Sequence, residues 1–113
     1  MRFILRSITA AVLGITFLVS CSNADTTTTF KVYGNCGMCQ KTIEGALSEL
    51  EGVEEASWNM DTKMISVSYE KAKISEDQIK EKIAEVGYDT DSHRAKQETY
   101  DALHSCCQYE RPE

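Results

Sequence analysis

Thr29-Phe30-Lys31-Val32-Tyr33-Gly34-Asn35-Cys36-Gly37-Met38-Cys39-Gln40-Lys41-Thr42-Ile43 changes its periodicity across two thiols. Before them, alternation of β-forming residues predicts a strand over Thr29 to Tyr33, with Phe30 and Val32 on one face. Gly34 and Asn35 turn the chain. From Cys39 onward, Ile43, Ala46, Leu47 and Leu50 recur at helical spacing, and Glu51-Gly52 closes the helix. The pattern sets Cys36 and Cys39 at a helix entrance. There the free N–H groups and the helix dipole favour a thiolate. Thiolate is the form that holds a metal ion.

Reading outward, Val53 to Asn59 is a second strand whose broken alternation predicts a bulge near Glu55. Met60 to Lys63 is a hairpin turn. Met64 to Tyr69 is a third strand with Ile65, Val67 and Tyr69 on one side. Ser75 is an N-cap and Gln78 completes a capping box. Ile79, Ile83 and Val86 stripe the helix that follows, and Gly87 ends it. Tyr88 to Arg94 reads as a weak, polar fourth strand suited to a sheet edge. Ala95 to Leu103 reads as a short third helix. The order β-α-β-β-α-β predicts an α+β, ferredoxin-like sandwich: a four-stranded antiparallel sheet with two helices on one face, plus a short C-terminal helical extension.

The N-terminal end reads as an export signal. Arg2 and Arg6 precede an apolar run from Ile8 to Val19, shorter than the roughly 20 residues that span a bilayer. Leu18-Val19-Ser20-Cys21 resembles the lipobox of bacterial lipoproteins. That resemblance implies removal of residues 1–20, lipidation of Cys21, and residence in a bacterial cell envelope, periplasm-facing or on the outer membrane. Residues 21–28 then form a polar tether, 29–94 the domain, and 95–113 a C-terminal extension. Without Arg2 and Arg6, ten of the 12 basic residues face 18 acidic ones, a net charge of −8. Such a surface excludes nucleic acid as a partner and suits a basic protein.

Residues from about Thr29 to Arg94 resemble the heavy-metal-associated domain family of small copper chaperones, metal-ATPase modules and periplasmic mercury-binding proteins. Three features carry the likeness: Cys36-x-x-Cys39 after the first strand, Gly52-Val53 between helix and strand, and Gly87-Tyr88 after the second helix. The resemblance implies Cys36 and Cys39 as ligands of a soft ion on an exposed loop, and a donor or acceptor such as an envelope metal transporter. It also implies an aromatic, Tyr88, beside that loop. The family usually carries a buried Met two residues before the first cysteine. Gly34 occupies that place here, and Met38 lies between the cysteines instead. Met38 reads first as a packed or half-exposed side chain; an anchor swung under the loop and a thioether offered to metal are the alternatives. Thiolates select soft ions. Cu(I) accepts two ligands and ranks first; Hg(II) fits two thiolates as well, and Zn(II) wants four.

Cys106 and Cys107 lie past the usual domain end, with His104 close by. Three readings stay open. The pair folds back onto Cys36 and Cys39, forms a second metal site, or closes as a vicinal disulfide. The first two are preferred, because thiols in an oxidising compartment rarely persist without use. His104 is a weaker candidate ligand. The leading expectation is a non-enzymatic carrier that holds or passes Cu(I) by ligand exchange. One rival is a thiol-disulfide oxidoreductase using Cys36 and Cys39. The lone proline, Pro112, is too far along the chain to serve as the cis-proline of a thioredoxin-like site. The other rival is a structural zinc module.

Overall fold

The computed structural model describes residues 23–113, so the segment 1–20 expected to be a signal, and the expected lipidation site Cys21, lie outside the described residues. Among the described residues, no helix is long and apolar enough to cross a membrane. Strand β1 spans Thr26–Lys31, β2 Val53–Trp58 and β3 Met64–Tyr69. They form an antiparallel sheet in the order β1-β3-β2. Helix α1 spans Gly37–Ser48, α2 Glu76–Glu85 and α3 Gln97–Asp101, followed by a 3-10 turn at Ser105–Cys107.

Most elements stand where periodicity puts them. Ile65, Val67 and Tyr69 of β3 are buried on one face. They pack against Ile43 and Leu47 of α1 and Ile79 and Ile83 of α2, in one core on one side of the sheet. The Val53–Glu55 register shift in β2 is the expected bulge. Ser75 and Gln78 make the complete capping box at the start of α2. Gly52 and Gly87 both take positive φ, 97° and 107°, which an L side chain rarely adopts.

Three expectations need correction. First, the tether is shorter than residues 21–28: Thr26, Thr27 and Thr28 belong to β1, paired with Tyr69, Ser68 and Val67. A run of β-branched threonines beside an open strand edge pairs rather than dangles. Second, the fourth strand is reduced to a single bridge between Val32 and Thr90. Local acceptors outcompete a ladder there. The Thr90 hydroxyl accepts from the backbone N–H of Ser92 at 3.3 Å and of His93 at 2.9 Å. The Asp89 carboxylate accepts from Ala95 N–H at 2.7 Å. The fold is α+β with a three-stranded sheet, consistent with the ferredoxin-like plan. Third, the last helix covers only Gln97–Asp101.

The loop before α1 rests on Trp58, 1% exposed, whose indole N–H donates to Val32 O at 3.0 Å. Gly34 lies against that ring. A Cβ at Gly34 would meet the Trp58 Cη2 at 2.9 Å and the Cys39 Cβ at 3.3 Å. Trp58 therefore fills the space beneath the loop, and Met38 is 46% exposed rather than tucked inward. Gly34→Ala is expected to destabilise the fold by about 1–3 kcal/mol through overpacking, read as a lowered urea midpoint.

Candidate metal centre

Cys36 is the N-cap of α1, with extended backbone. Cys39, one turn into the helix, is fully buried, and its sulfur accepts from Asn35 N–H at 3.4 Å. The two sulfurs are 3.7 Å apart. The C-terminal extension brings the other pair to them. Cys36 Sγ lies 3.9 Å from Cys107 Sγ, and Cys106 Sγ lies 3.8 Å from Cys107 Sγ. Cys36, Cys106 and Cys107 hold their sulfurs within 4.8 Å of one another. Cys39 stands outside that mutual set, 3.7 Å from Cys36 and a neighbour of the Cys107 thiol. All four of these thiols are free, so Cys106 and Cys107 do not form a disulfide here. His104 is exposed and does not join the cluster.

The extension is held in place by polar bonds as well as packing. Arg111 donates to both carboxylate oxygens of buried Asp89 at 2.8 Å. The Tyr109 hydroxyl donates to Gly87 O and accepts from Asp89 N–H, each at 2.8 Å. The Tyr109 ring stacks on Tyr88 with centroids 5.6 Å apart. The Tyr100 hydroxyl donates to Tyr109 O at 2.6 Å. These bonds fix the chain just beyond the cysteine pair, at Tyr109 and Arg111.

The thiols differ in acidity. Cys36 is lowered to about 7, first by the backbone N–H of Cys39, then by that of Met38 and by the thiols of Cys39 and Cys107. Cys107, 2% exposed, is pushed up to about 12, chiefly by burial and then by the neighbouring Cys39 thiol. Tyr88 is raised by burial and by the same two thiols. Its hydroxyl is buried without a regular hydrogen-bond partner. Tyr88 is thus both a core aromatic and a neighbour of the sulfurs. In the reduced protein, Cys36 is expected to react first with iodoacetamide, its rate rising with pH about a midpoint near 7. Cys107 should stay unmodified at neutral pH; peptide mapping of the alkylated chain reads both outcomes.

The model of the heavy-metal-associated domain matches residues 29–89. The chain belongs to the heavy-metal-associated domain family. The copper chaperone CopZ of Staphylococcus aureus is 36% identical over 55 residues, covering 49% of this chain and 81% of the relative. A solved CopZ metallochaperone superimposes with a TM-score of 0.56 at 33% identity, over 57% of this chain and 98% of its own. The apo N-terminal domain of the zinc(II) ATPase ZiaA gives a TM-score of 0.52 at 39% identity, over 57% of this chain and 93% of its own. Chaperones of this family are metal carriers, not enzymes, in agreement with the reading of this chain as non-enzymatic.

The domain match ends at residue 89, ahead of the extension that carries Cys106 and Cys107. Sequence reading missed three residues that shape the centre: Trp58 under the loop, and Asp89 with Arg111 behind the extension. Tyr109 and Arg111, two and four positions past Cys107, were the available signal for the extension, since a solvated tail has little need of either.

Proposed function

We propose that this protein carries a soft metal ion, Cu(I) first, on the thiolates of Cys36, Cys39, Cys106 and Cys107, and passes it on by ligand exchange. One observation carries the reading: the extension seats two thiols against the two at the mouth of α1, with successive sulfurs 3.7–3.9 Å apart. With metal–sulfur bonds of about 2.3 Å, a tetrahedral four-thiolate site needs all six sulfur–sulfur edges near 3.8 Å. Here three sulfurs lie within 4.8 Å of one another, and the fourth, Cys39, falls outside that mutual set. That arrangement favours low-coordinate Cu(I) over tetrahedral Zn(II), and leaves Hg(II) as a competitor in the test.

Exchange begins at the exposed sulfur. Cys106 is the ligand an incoming thiolate reaches first, while Cys39 and Cys107 are buried. The partner is a metal donor or acceptor, such as the metal-binding module of a transporting ATPase. The acidic surface suits a basic face on it. Lipidation of Cys21 places the carrier on a bacterial envelope membrane, with the domain on the periplasmic or outer-membrane side. Incorporation of labelled palmitate, lost in Cys21→Ala, tests the anchor.

Native mass spectrometry of the reduced chain with Cu(I), Hg(II) and Zn(II) tests the site. Cu(I) should bind the wild type most tightly. Cys36→Ser/Cys39→Ser should lose it, and Cys106→Ser/Cys107→Ser should hold it more weakly. Wild-type affinity in the first double variant overturns the site; wild-type affinity in the second removes the extension from it.

A further inference from the structure

The sulfur cluster does not end with the cysteines. Met38 Sδ lies 3.8 Å from Cys106 Sγ. With it, five sulfurs form a continuous path: Met38, Cys106, Cys107, Cys36 and Cys39, in steps of 3.8, 3.8, 3.9 and 3.7 Å. The path begins at the surface and ends in the core, with half-buried Cys36 between Cys107 and Cys39. Met38 is 46% exposed and Cys106 is exposed; Cys107 and Cys39 are 2% and 0% exposed.

Met38 occupies the second position of α1, and because Trp58 already fills the space beneath the loop, its side chain lies at the rim. There its thioether stands beside the exposed thiol of Cys106, a soft ligand pair. Thioether and thiolate together select a soft monovalent ion and discriminate against Zn(II).

We propose that Met38 and Cys106 form an outer site for a second Cu(I), sharing a bridging thiolate with the inner one, so that one chain holds two ions. This rests on the carrier reading above. The outer ion is the one nearest solvent, and so the one exchanged with a partner, while the inner ion stays beneath it.

The test is a Cu(I) titration of the full reduced chain by native mass spectrometry, with bathocuproine disulfonate as competitor. Wild type, Met38→Leu and Cys106→Ser are compared. Met38→Leu keeps the volume of an exposed side chain and removes only the thioether, so folding is not at issue. The expected result is two Cu(I) on the wild-type monomer. In Met38→Leu the first is retained and the second is weakened at least about tenfold. Cys106→Ser should lose the second ion outright. Two ions bound with unchanged affinity in Met38→Leu overturn the outer site. A wild-type chain that stops at one ion overturns it while leaving the carrier reading intact. Two ions found only in a dimer also overturn it, since the bridge would then lie between chains. A wild-type chain that binds none removes the carrier reading itself.

Discussion

Arg111→Ala is expected to lower the stability of this domain by about 3–5 kcal/mol, the range for stripping one partner from a buried ion pair. The Asp89 side chain is 1% exposed and that of Arg111 10%. Removing the guanidinium deletes two hydrogen bonds to the carboxylate, a third to Ala95 O and a fourth to Gln97. It leaves the carboxylate with Ala95 N–H as its remaining bonded donor. At roughly 4–8 °C per kcal/mol for a domain of this size, Tm should fall by on the order of 10–40 °C. Asp89→Asn/Arg111→Met should recover a large part of the loss, because it leaves no buried charge unpaired. A double variant no better than Arg111→Ala would refute the ion-pair account.

The pH dependence follows from the sign of the shift. Burial is the largest single influence on Asp89 and raises its carboxyl. The bonds from Arg111 and Ala95 N–H and the charges of Arg111 and Arg94 together outweigh it, and the net value lies below the usual carboxylate range. A depressed native value means the contribution is complete above the unfolded value of about 3.9 and is lost as pH falls through the native one. The Tm gap between wild type and Arg111→Ala should therefore be flat near neutrality and narrow below about pH 4. The same substitution should expose Cys107 to alkylation, because Arg111 and Tyr109 hold the segment that carries it.

Cys36→Ser is expected to weaken Cu(I) binding by roughly 100-fold or more, beyond the 10- to 100-fold typical of losing a supporting group next to a metal ligand. Cys36 is the joint of the cluster. Its sulfur touches Cys39 at 3.7 Å and Cys107 at 3.9 Å. Removing it takes out the sulfur that stands nearest to both Cys39 and Cys107. Cys39→Ser is the less informative variant, since Cys39 is fully buried in the core and its loss disturbs packing as well. Cys36 is half-buried at the helix entrance, so Cys36→Ser should leave the urea midpoint near wild type while affinity falls. Competition against bathocuproine disulfonate reads the affinity. An unchanged value would remove Cys36 from the ligand set.

How much was legible in the sequence depended on whether the signal was local. Ser75 and Gln78 announce α2 because both partners of a capping box lie within one turn. The bulge at Val53–Glu55 showed as a slip in alternation. The Tyr88–Arg94 segment misled because its β-forming residues are interleaved with Asp, Thr and Ser, whose side chains bond the nearby backbone. The fate of Met38 was hidden because it depended on Trp58, twenty residues away in sequence, already filling the space beneath the loop.

The sequence by itself determined the kind of protein: a strand, two thiols at a helix entrance, and a β-α-β-β-α plan, each set by periodicities of two or 3.6 residues and by caps within one turn. It also supplied every sulfur of the cluster. Only the tertiary structure decided that those sulfurs meet. Cys36 and Cys107 are 71 positions apart. Their approach depends on Arg111 reaching Asp89 across 22 positions and on Tyr109 stacking on Tyr88. Such pairings leave no period in a chain, because they arise when segments already folded are packed together.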